Sequence, residues 1–462
     1  MSIAHPTAVI LAVGLNESLI GAHTPNIQAF MKAGRLQHID PTFPAVTTSA
    51  QSSMLTGKSP REHGIVGNGW YDRELSEVQF WKQSNHLVRA PKVWDTARER
   101  DPNCTTLNMF WWYNMYANVD YSVTPRPIYK ADGRKIPDCY SNPGTLRDEL
   151  QSTLGTFPLF NFWGPASSIK STQWIADATV HLHKKLAPTL TLAYLPHMDY
   201  CLQKLGPNHA DIPAFMTELD TVVGQLIDYF QVAGVRPIIC SEYGIEEVDD
   251  AIHINRHLRE DKALSIREEQ GLELLDPGAS DCFAVSDHQI AHIYIKNPEK
   301  IDYYKNLCAK IPGVEQVLDR PAQAARNIDH ARSGDLVLIA EPRRWFSYYY
   351  WLDDQRAPDF ARCVDIHRKP GFDPVELFLA PSLTLPPAHI AWRLLKKKLG
   401  FRTLMDVIPL DTKLVQGSHG RTEQDTKVKP ILLTEYEYSN DANVITSEAV
   451  HDCILGHLFD NQ

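Results

Sequence analysis

TLTLAYLPHMDYCLQKLGPNHADIPAFMTELDTVVGQLIDYFQVAGVRPIIC, residues 189–240, decides the architecture. Residues 189–195 (TLTLAYL) are a short apolar run of the kind that forms a fully buried strand. Over 214–230 the side chains of Phe215, Leu219, Val222, Val223, Leu226, Ile227 and Phe230 recur at helical spacing. Residues 236–240 (RPIIC) are a second buried run. Strand, helix and strand in that order predict a βαβ unit and a mainly parallel sheet. The same alternation continues outward. Residues 8–13 read as a strand. Residues 25–32 read as a helix with Thr24 as its cap, Pro25 in its first turn and Gly34 as its stop. The runs at 291–295 and 336–340 predict further strands in a smaller subdomain.

The chain has 462 residues, of which 43% are apolar and 22% charged. A chain of that size buries a large core without staples, which excludes disordered, collagen-like and coiled-coil classes. Its 46 Lys and Arg against 56 Asp and Glu give a net charge of −10. That balance argues against a nucleic-acid polymer as partner, which calls for a basic face. No apolar run reaches the ~18 residues of a membrane span. The run at 8–15 lacks a positively charged lead-in and is expected to be a strand rather than a signal peptide. The eight cysteines stand singly with no CxxC pair. Reduced thiols, a cytoplasmic location and no membrane partner are therefore expected. The basic run at 393–402, with Lys396, Lys397 and Lys398, reads as a solvated helix face.

Chemistry concentrates in residues 43–71, FPAVTTSAQSSMLTGKSPREHGIVGNGWY. A hydroxyl-rich turn, Thr47-Thr48-Ser49, opens a helix-like stretch over 50–55. Helix N-termini favour anions. A threonine hydroxyl there serves either as an activated nucleophile or as a helix cap. Downstream, residues 104–166 are dense in aromatics, among them Phe110, Trp111, Trp112, Tyr113 and Trp163. Such side chains fill a core or wall a pocket for a flat or apolar leaving group.

Taken together, 24–27 (TPNI), 43–47 (FPAVT), 56–57 (TG), 63–68 (HGIVGN) and 71–72 (YD) resemble, in order and spacing, the type I phosphodiesterase/nucleotide pyrophosphatase branch of the alkaline phosphatase superfamily. Weaker likeness continues through 91–97, 110–112, 311–315, 334–338, 419–420 and 430–431. The resemblance implies an α/β fold whose mainly parallel central sheet is sandwiched by helices, with a smaller inserted α+β subdomain. It would place the core at 1–250 and 400–462 and the insertion at 251–399.

The resemblance also implies site residues. Thr47 matches the nucleophile, and Asn68 matches the side chain that donates to a phosphate oxygen. The family holds two zinc ions. For the first, this sequence offers Asp199 and His419, with Gln203 where a His stands. For the second it offers Thr47, with Glu242 and Tyr243 where an Asp-His pair stands and Val13 where an Asp stands. Val has no donor atom and neutral Tyr is a poor ligand. One divalent ion (Zn, Mg or Mn) rather than two is expected, with Mg or Mn better matched to oxygen donors. His197, two residues before Asp199 on what reads as a strand end, and His288 are further candidates. The implied activity is metal-dependent hydrolysis of phosphoric esters, diesters or pyrophosphates of small molecules through Thr47. The alternative is a metal-poor relative that binds a phosphorylated ligand or partner without turnover.

Overall fold

The computed structural model describes residues 4–383 and 385–459. At its centre is a nine-stranded sheet. From edge to edge its strands are Val444–Thr446, Arg35–Asp40, Ile431–Thr434, Arg236–Cys240, Thr7–Ala12, Leu190–Leu195, Thr106–Met109, Tyr121–Pro125 and Cys139–Asn142. The five from Arg236–Cys240 to Tyr121–Pro125 are mutually parallel. Only Ile431–Thr434 and Cys139–Asn142 run against them. Thr7–Ala12 pairs in register with Leu190–Leu195 from Thr7↔Leu190 to Ala12↔Leu195, and with Arg236–Cys240 on its other side. Both Thr7–Ala12 and Leu190–Leu195 are buried along their whole length. That is why they read as continuous apolar runs and not as alternations.

Two groups of helices flank this sheet. Pro25–Ala33, Ile169–Leu186 and Ile212–Val232 pack with one another, and Thr47–Thr56, Val93–Arg100 and Ala449–Phe459 form the second group. Ile212–Val232 buries Leu219, Val222, Val223, Leu226, Ile227 and Phe230, the stripe evident in the sequence. Phe215, the first member of that stripe, is only partly buried. The start of Pro25–Ala33 differs from expectation. The Thr24 side chain does not cap it. Asp220, on the Ile212–Val232 helix, accepts instead from the Asn26 N–H (3.1 Å) and the Ile27 N–H (2.8 Å). A carboxylate from a distant helix thus satisfies the orphan donors and complements the helix dipole.

A second, four-stranded antiparallel sheet runs Cys282–Asp287, Ile290–Ile295, Leu336–Ala340, Val314–Leu318. It has its own apolar cluster, which includes Phe283, Ile293, Tyr294 and Leu338. The tight turn between its first two strands carries His288 at φ 59°. Gln289 in that turn donates its N–H to the His419 carbonyl at 2.9 Å, and this contact ties the second sheet to the segment that carries His419.

Candidate active site

Three neighbouring parallel strands end side by side, and the segments that follow them meet. After Ala12 the chain turns at Gly14, whose φ is +73°. A Cβ there would lie 3.1 Å from Leu202 Cδ1, on the helix that follows Leu195, so glycine permits both the turn and the close approach. After Leu195 comes the helix His197–Leu205, with Asp199 in its first turn and Gln203 one turn on. After Cys240 come Glu242 and Tyr243. Ser241 anchors this segment by donating to the Leu15 carbonyl (2.5 Å) and accepting from the Ile431 N–H (2.9 Å). Sites at the carboxyl ends of parallel strands are the general expectation for open α/β sheets.

The helix Thr47–Thr56 delivers the hydroxyl. Thr47 is its first residue, and the Thr47 side chain caps nothing. Its Oγ1 lies 3.1 Å from the Tyr243 hydroxyl oxygen. That hydroxyl donates to Asp199 Oδ1, also at 3.1 Å. Tyr243 has one proton to give, so the Thr47 hydroxyl is the donor in the first contact. Asn68 Oδ1 accepts from the Thr48 N–H (3.1 Å), and Asn68 donates twice to Asp287: N–H to Oδ2 (2.7 Å) and Nδ2 to Oδ1 (3.0 Å). Gln51, one turn after Thr47, donates to Glu242 Oε2 (2.9 Å) and accepts from the Trp112 N–H (2.8 Å).

His419 donates Nδ1–H to the Ala45 carbonyl at 2.7 Å, which leaves Nε2 as the lone-pair nitrogen. Nε2 lies 3.8 Å from Asp199 Oδ1 and has no hydrogen-bond partner. The same holds for both polar atoms of Gln203 and for Glu242 Oε1. Aromatic rings continue outward in a column. Tyr243 stacks on His419 (3.6 Å between centroids), His419 on His288 (3.7 Å) and His288 on Phe372 (3.6 Å). Trp163 packs on Phe372 at 5.8 Å, and Trp81 on Trp112 at 5.0 Å.

Burial governs the electrostatics. It raises Asp199 to about 7 and Asp287 to about 7, and holds Glu242 and Tyr243 well above their ordinary values. It lowers His419 to about 3 and pushes His288 down as well. Left to itself, the site therefore favours neutral side chains.

Thr47, Asp199, Gln203, Glu242, Tyr243 and His419 are thus drawn together from distant stretches of chain. Asn68 joins them, but its amide is already engaged by Thr48 and Asp287. His288 enters through its ring, in the stacked column. His197 does not join. It opens a helix instead of ending a strand, so its position two residues from Asp199 turns it away. It faces Glu218, with Nε2 3.1 Å from Oε2. Of the aromatics at 104–166, Phe110, Trp111 and Tyr113 are core, while Trp112 and Trp163 are partly exposed. Sequence reasoning missed Gln51 and gave Asp287 no role. Gln51 was legible as the residue one turn from Thr47 on the same helix face. Phe372 carries no such signal.

Among the described residues no group of three or more His, Cys, Asp or Glu side chains is placed to hold a metal. The second cation of a two-ion centre does not fit these residues. Val13 has no donor, and the Tyr243 hydroxyl is committed to Thr47 and Asp199. The first cation's set fits better. Asp199 and Gln203 stand one turn apart on one helix, the Gln203 side chain reaches the Asp199 carboxylate, and His419 Nε2 lies 3.8 Å from Asp199 Oδ1.

A buried threonine opening a helix, a carboxylate–imidazole pair and an anchored amide at the end of a parallel sheet define an α/β protein of the alkaline phosphatase type. A model of the type I phosphodiesterase/nucleotide pyrophosphatase family matches residues 7–373, and the chain belongs to that family. An uncharacterized pyrophosphatase/phosphodiesterase of Schizosaccharomyces pombe is 26% identical over 240 residues, 49% of this chain and 42% of that one. The bis(5'-adenosyl)-triphosphatase enpp4 of Mus musculus is 22% identical over 230 residues, 48% of this chain and 43% of that one. The matches thus span less than half the length of these two curated relatives. Among solved structures, phosphonoacetate hydrolase of Sinorhizobium meliloti, in complex with phosphonoacetate, shares the fold (TM-score 0.61, 14% identity, 99% of this chain and 100% of that one). So does an inactive variant of murine ectonucleotide pyrophosphatase/phosphodiesterase 5 in complex with AMP (TM-score 0.58, 13% identity, 98% and 94%).

Proposed function

We propose that this protein hydrolyses small phosphoric diesters or pyrophosphates through Thr47, assisted by one divalent cation and not two. The observation that carries the reading is the Thr47–Tyr243–Asp199 hydrogen-bonded chain at the start of the Thr47–Thr56 helix. Thr47 Oγ1 forms the new bond to phosphorus, and the bond from phosphorus to the leaving oxygen breaks. The helix N-terminus favours the anionic phosphoryl group. The Thr47 proton passes to the Tyr243 oxygen as Tyr243 passes its own to Asp199 Oδ1, and the leaving oxygen takes a proton from water. Asn68 Nδ2 carries two hydrogens. One is on Asp287 and the other remains for a phosphoryl oxygen. Water then releases the phosphate from Thr47. Asp199, Gln203 and His419 would hold the cation, which when bound supplies Lewis-acid polarisation of a phosphoryl oxygen. The eight cysteines are free thiols, which supports a reducing compartment such as the cytoplasm.

A second reading, ligand binding without turnover, draws support from one feature. Thr47 is only 4% exposed, and Glu242, Tyr243 and His419 are fully buried, so the site is nearly closed. One paired experiment separates the two. Release of nitrophenol from bis(p-nitrophenyl) phosphate is measured with added Mg²⁺, Mn²⁺ or Zn²⁺, for the natural chain and Thr47→Ala, beside AMP binding by calorimetry. Turnover that Thr47→Ala abolishes supports hydrolysis. AMP binding with no turnover under any cation replaces it with the second reading.

A further inference from the structure

The helix Pro386–Lys398 packs Ile390 inward on an apolar cluster and carries a second apolar stripe outside. Ala388, Trp392, Leu395 and Leu399 recur every three or four residues and form one stripe along it and its last turn. Such a stripe normally packs on the core. Here Trp392 is 54% exposed, Leu395 46% and Leu399 64%. Phe401, just beyond, is 64% exposed. The polar Arg393 is turned inward instead and pairs with Asp406 at 2.9 Å. Exposed large apolar side chains gathered on one element mark an interaction surface.

Charge identifies what the surface fits. Lys396, Lys398 and Arg402 flank the stripe, and no acidic residue lies between 385 and 405, in a chain whose net charge is −10. The Lys396 ammonium sits 5.1 Å from the Trp392 ring centroid, its stem laid along the apolar side chain. Arg402 donates to the Ala131 carbonyl at 3.0 Å. That contact joins the patch to a hairpin distant in sequence, where Ile128 (38%) and Tyr129 (51%) are exposed beside Lys130.

We propose that this face docks the protein on the surface of an anionic lipid bilayer. Trp392, Leu395, Leu399 and Phe401 enter the boundary between headgroups and acyl chains, and Lys398 and Arg402 meet the lipid phosphates. Apolar bulk on one side with lysines along its border is the pattern of an interfacial helix. A second copy of the chain is a poorer occupant, because two such faces would bring like charges together. No helix among the described residues is long and apolar enough to cross a membrane. The expectation of a solvated basic face with no membrane partner counted the lysines alone. The structure puts the apolar stripe beside them in solvent.

The test is vesicle flotation of the full chain, with phosphatidylcholine alone and with roughly 30% phosphatidylserine added. The expected result is at least about tenfold more protein on the anionic vesicles, with the difference shrinking as salt is raised. The triple substitution Trp392→Ser, Leu395→Ser, Leu399→Ser should abolish recovery on both. Lys398→Glu with Arg402→Glu should remove only the preference for anionic lipid. These side chains are exposed, so both variants should melt like the natural chain; Trp392→Ser alone replaces the triple variant if that one misfolds. Equal recovery of natural and Trp392→Ser protein overturns the proposal, as does absence of binding. A dimer in sedimentation that the stripe variant dissociates, with no capture by vesicles, overturns it in favour of self-association.

Discussion

The side of the site proposed to carry the nucleophile and the side proposed to hold a cation differ in how completely their polar atoms are paired. Around Thr47 the network closes on itself: Thr47 to Tyr243, Thr48 to Asn68, Asn68 to Asp287, Gln51 to Glu242 and Trp112. Around Asp199 it does not: His419 Nε2, both polar atoms of Gln203 and Glu242 Oε1 are buried without partners. Each such atom costs about 1–3 kcal/mol. The Thr47 side is thus held by the protein's own groups, while the Asp199 side leaves polar atoms that a bound cation could use. A site that only needed to be stable would pair those atoms or replace them with apolar groups.

The largest effect expected from this contrast is on turnover. Thr47→Ala removes the hydroxyl the paired side is arranged around, and kcat on bis(p-nitrophenyl) phosphate should fall at least about 10³-fold. Thr47→Ser should keep measurable activity. Undiminished turnover in Thr47→Ala would move the chemistry to another group and break the contrast.

Next in size is a dependence of stability on pH through Asp287, which anchors Asn68. Burial raises its folded value to about 7, against about 3.9 unfolded. Between those values the folded chain keeps a proton that the unfolded chain has lost, so this group's contribution to stability falls as pH rises from about 4 to about 7 and is level above that. The slope is at most about 1.4 kcal/mol per pH unit. Urea denaturation from pH 4 to 8 should give a steeper decline for the natural chain than for Asp287→Asn. Parallel curves would show that Asp287 is ionised throughout.

A smaller effect falls on the link between the two sides. Tyr243→Phe removes the hydroxyl that Thr47 and Asp199 share but keeps the ring stacked on His419. Stability should drop by about 1–2 kcal/mol, the cost of leaving two buried groups with one partner fewer. Thermal denaturation of the two proteins side by side measures it.

How much of this was legible in the sequence depends on the range over which each feature is encoded. The βαβ unit was legible because its strands are buried throughout and its helix stripe is local. The convergence of Thr47, Asp199, Glu242, Tyr243 and His419 was implied by the resemblance of the motifs to the family. Features that depend on a change of period, or on contacts across the fold, were not. His197 was misplaced because the chain changes from a two-residue to a 3.6-residue repeat at that residue, which rotates it toward Glu218. The Asp220 cap on Pro25–Ala33 joins residues 194 positions apart and leaves no local mark. The lysine run at 396–398 was visible, but the outward turn of the apolar stripe beside it depends on what the helix packs against.

The finest test of the contrast is Gln203→His. Gln203 occupies one helix turn from Asp199, and its carbonyl oxygen and amide nitrogen are both without partners. An imidazole there would join Asp199 and His419 as a third strong donor, the number a zinc site with one open position needs. If the cation side is a weakened one-ion site, zinc affinity measured by competition with a chromogenic chelator should rise about tenfold, equivalent to about 1.4 kcal/mol. The paired side should not notice, because none of its hydrogen bonds reaches Gln203. Should zinc affinity stay unchanged while Asp199→Asn also leaves it unchanged, the unpartnered atoms serve something other than a cation, and the ligand-binding reading gains.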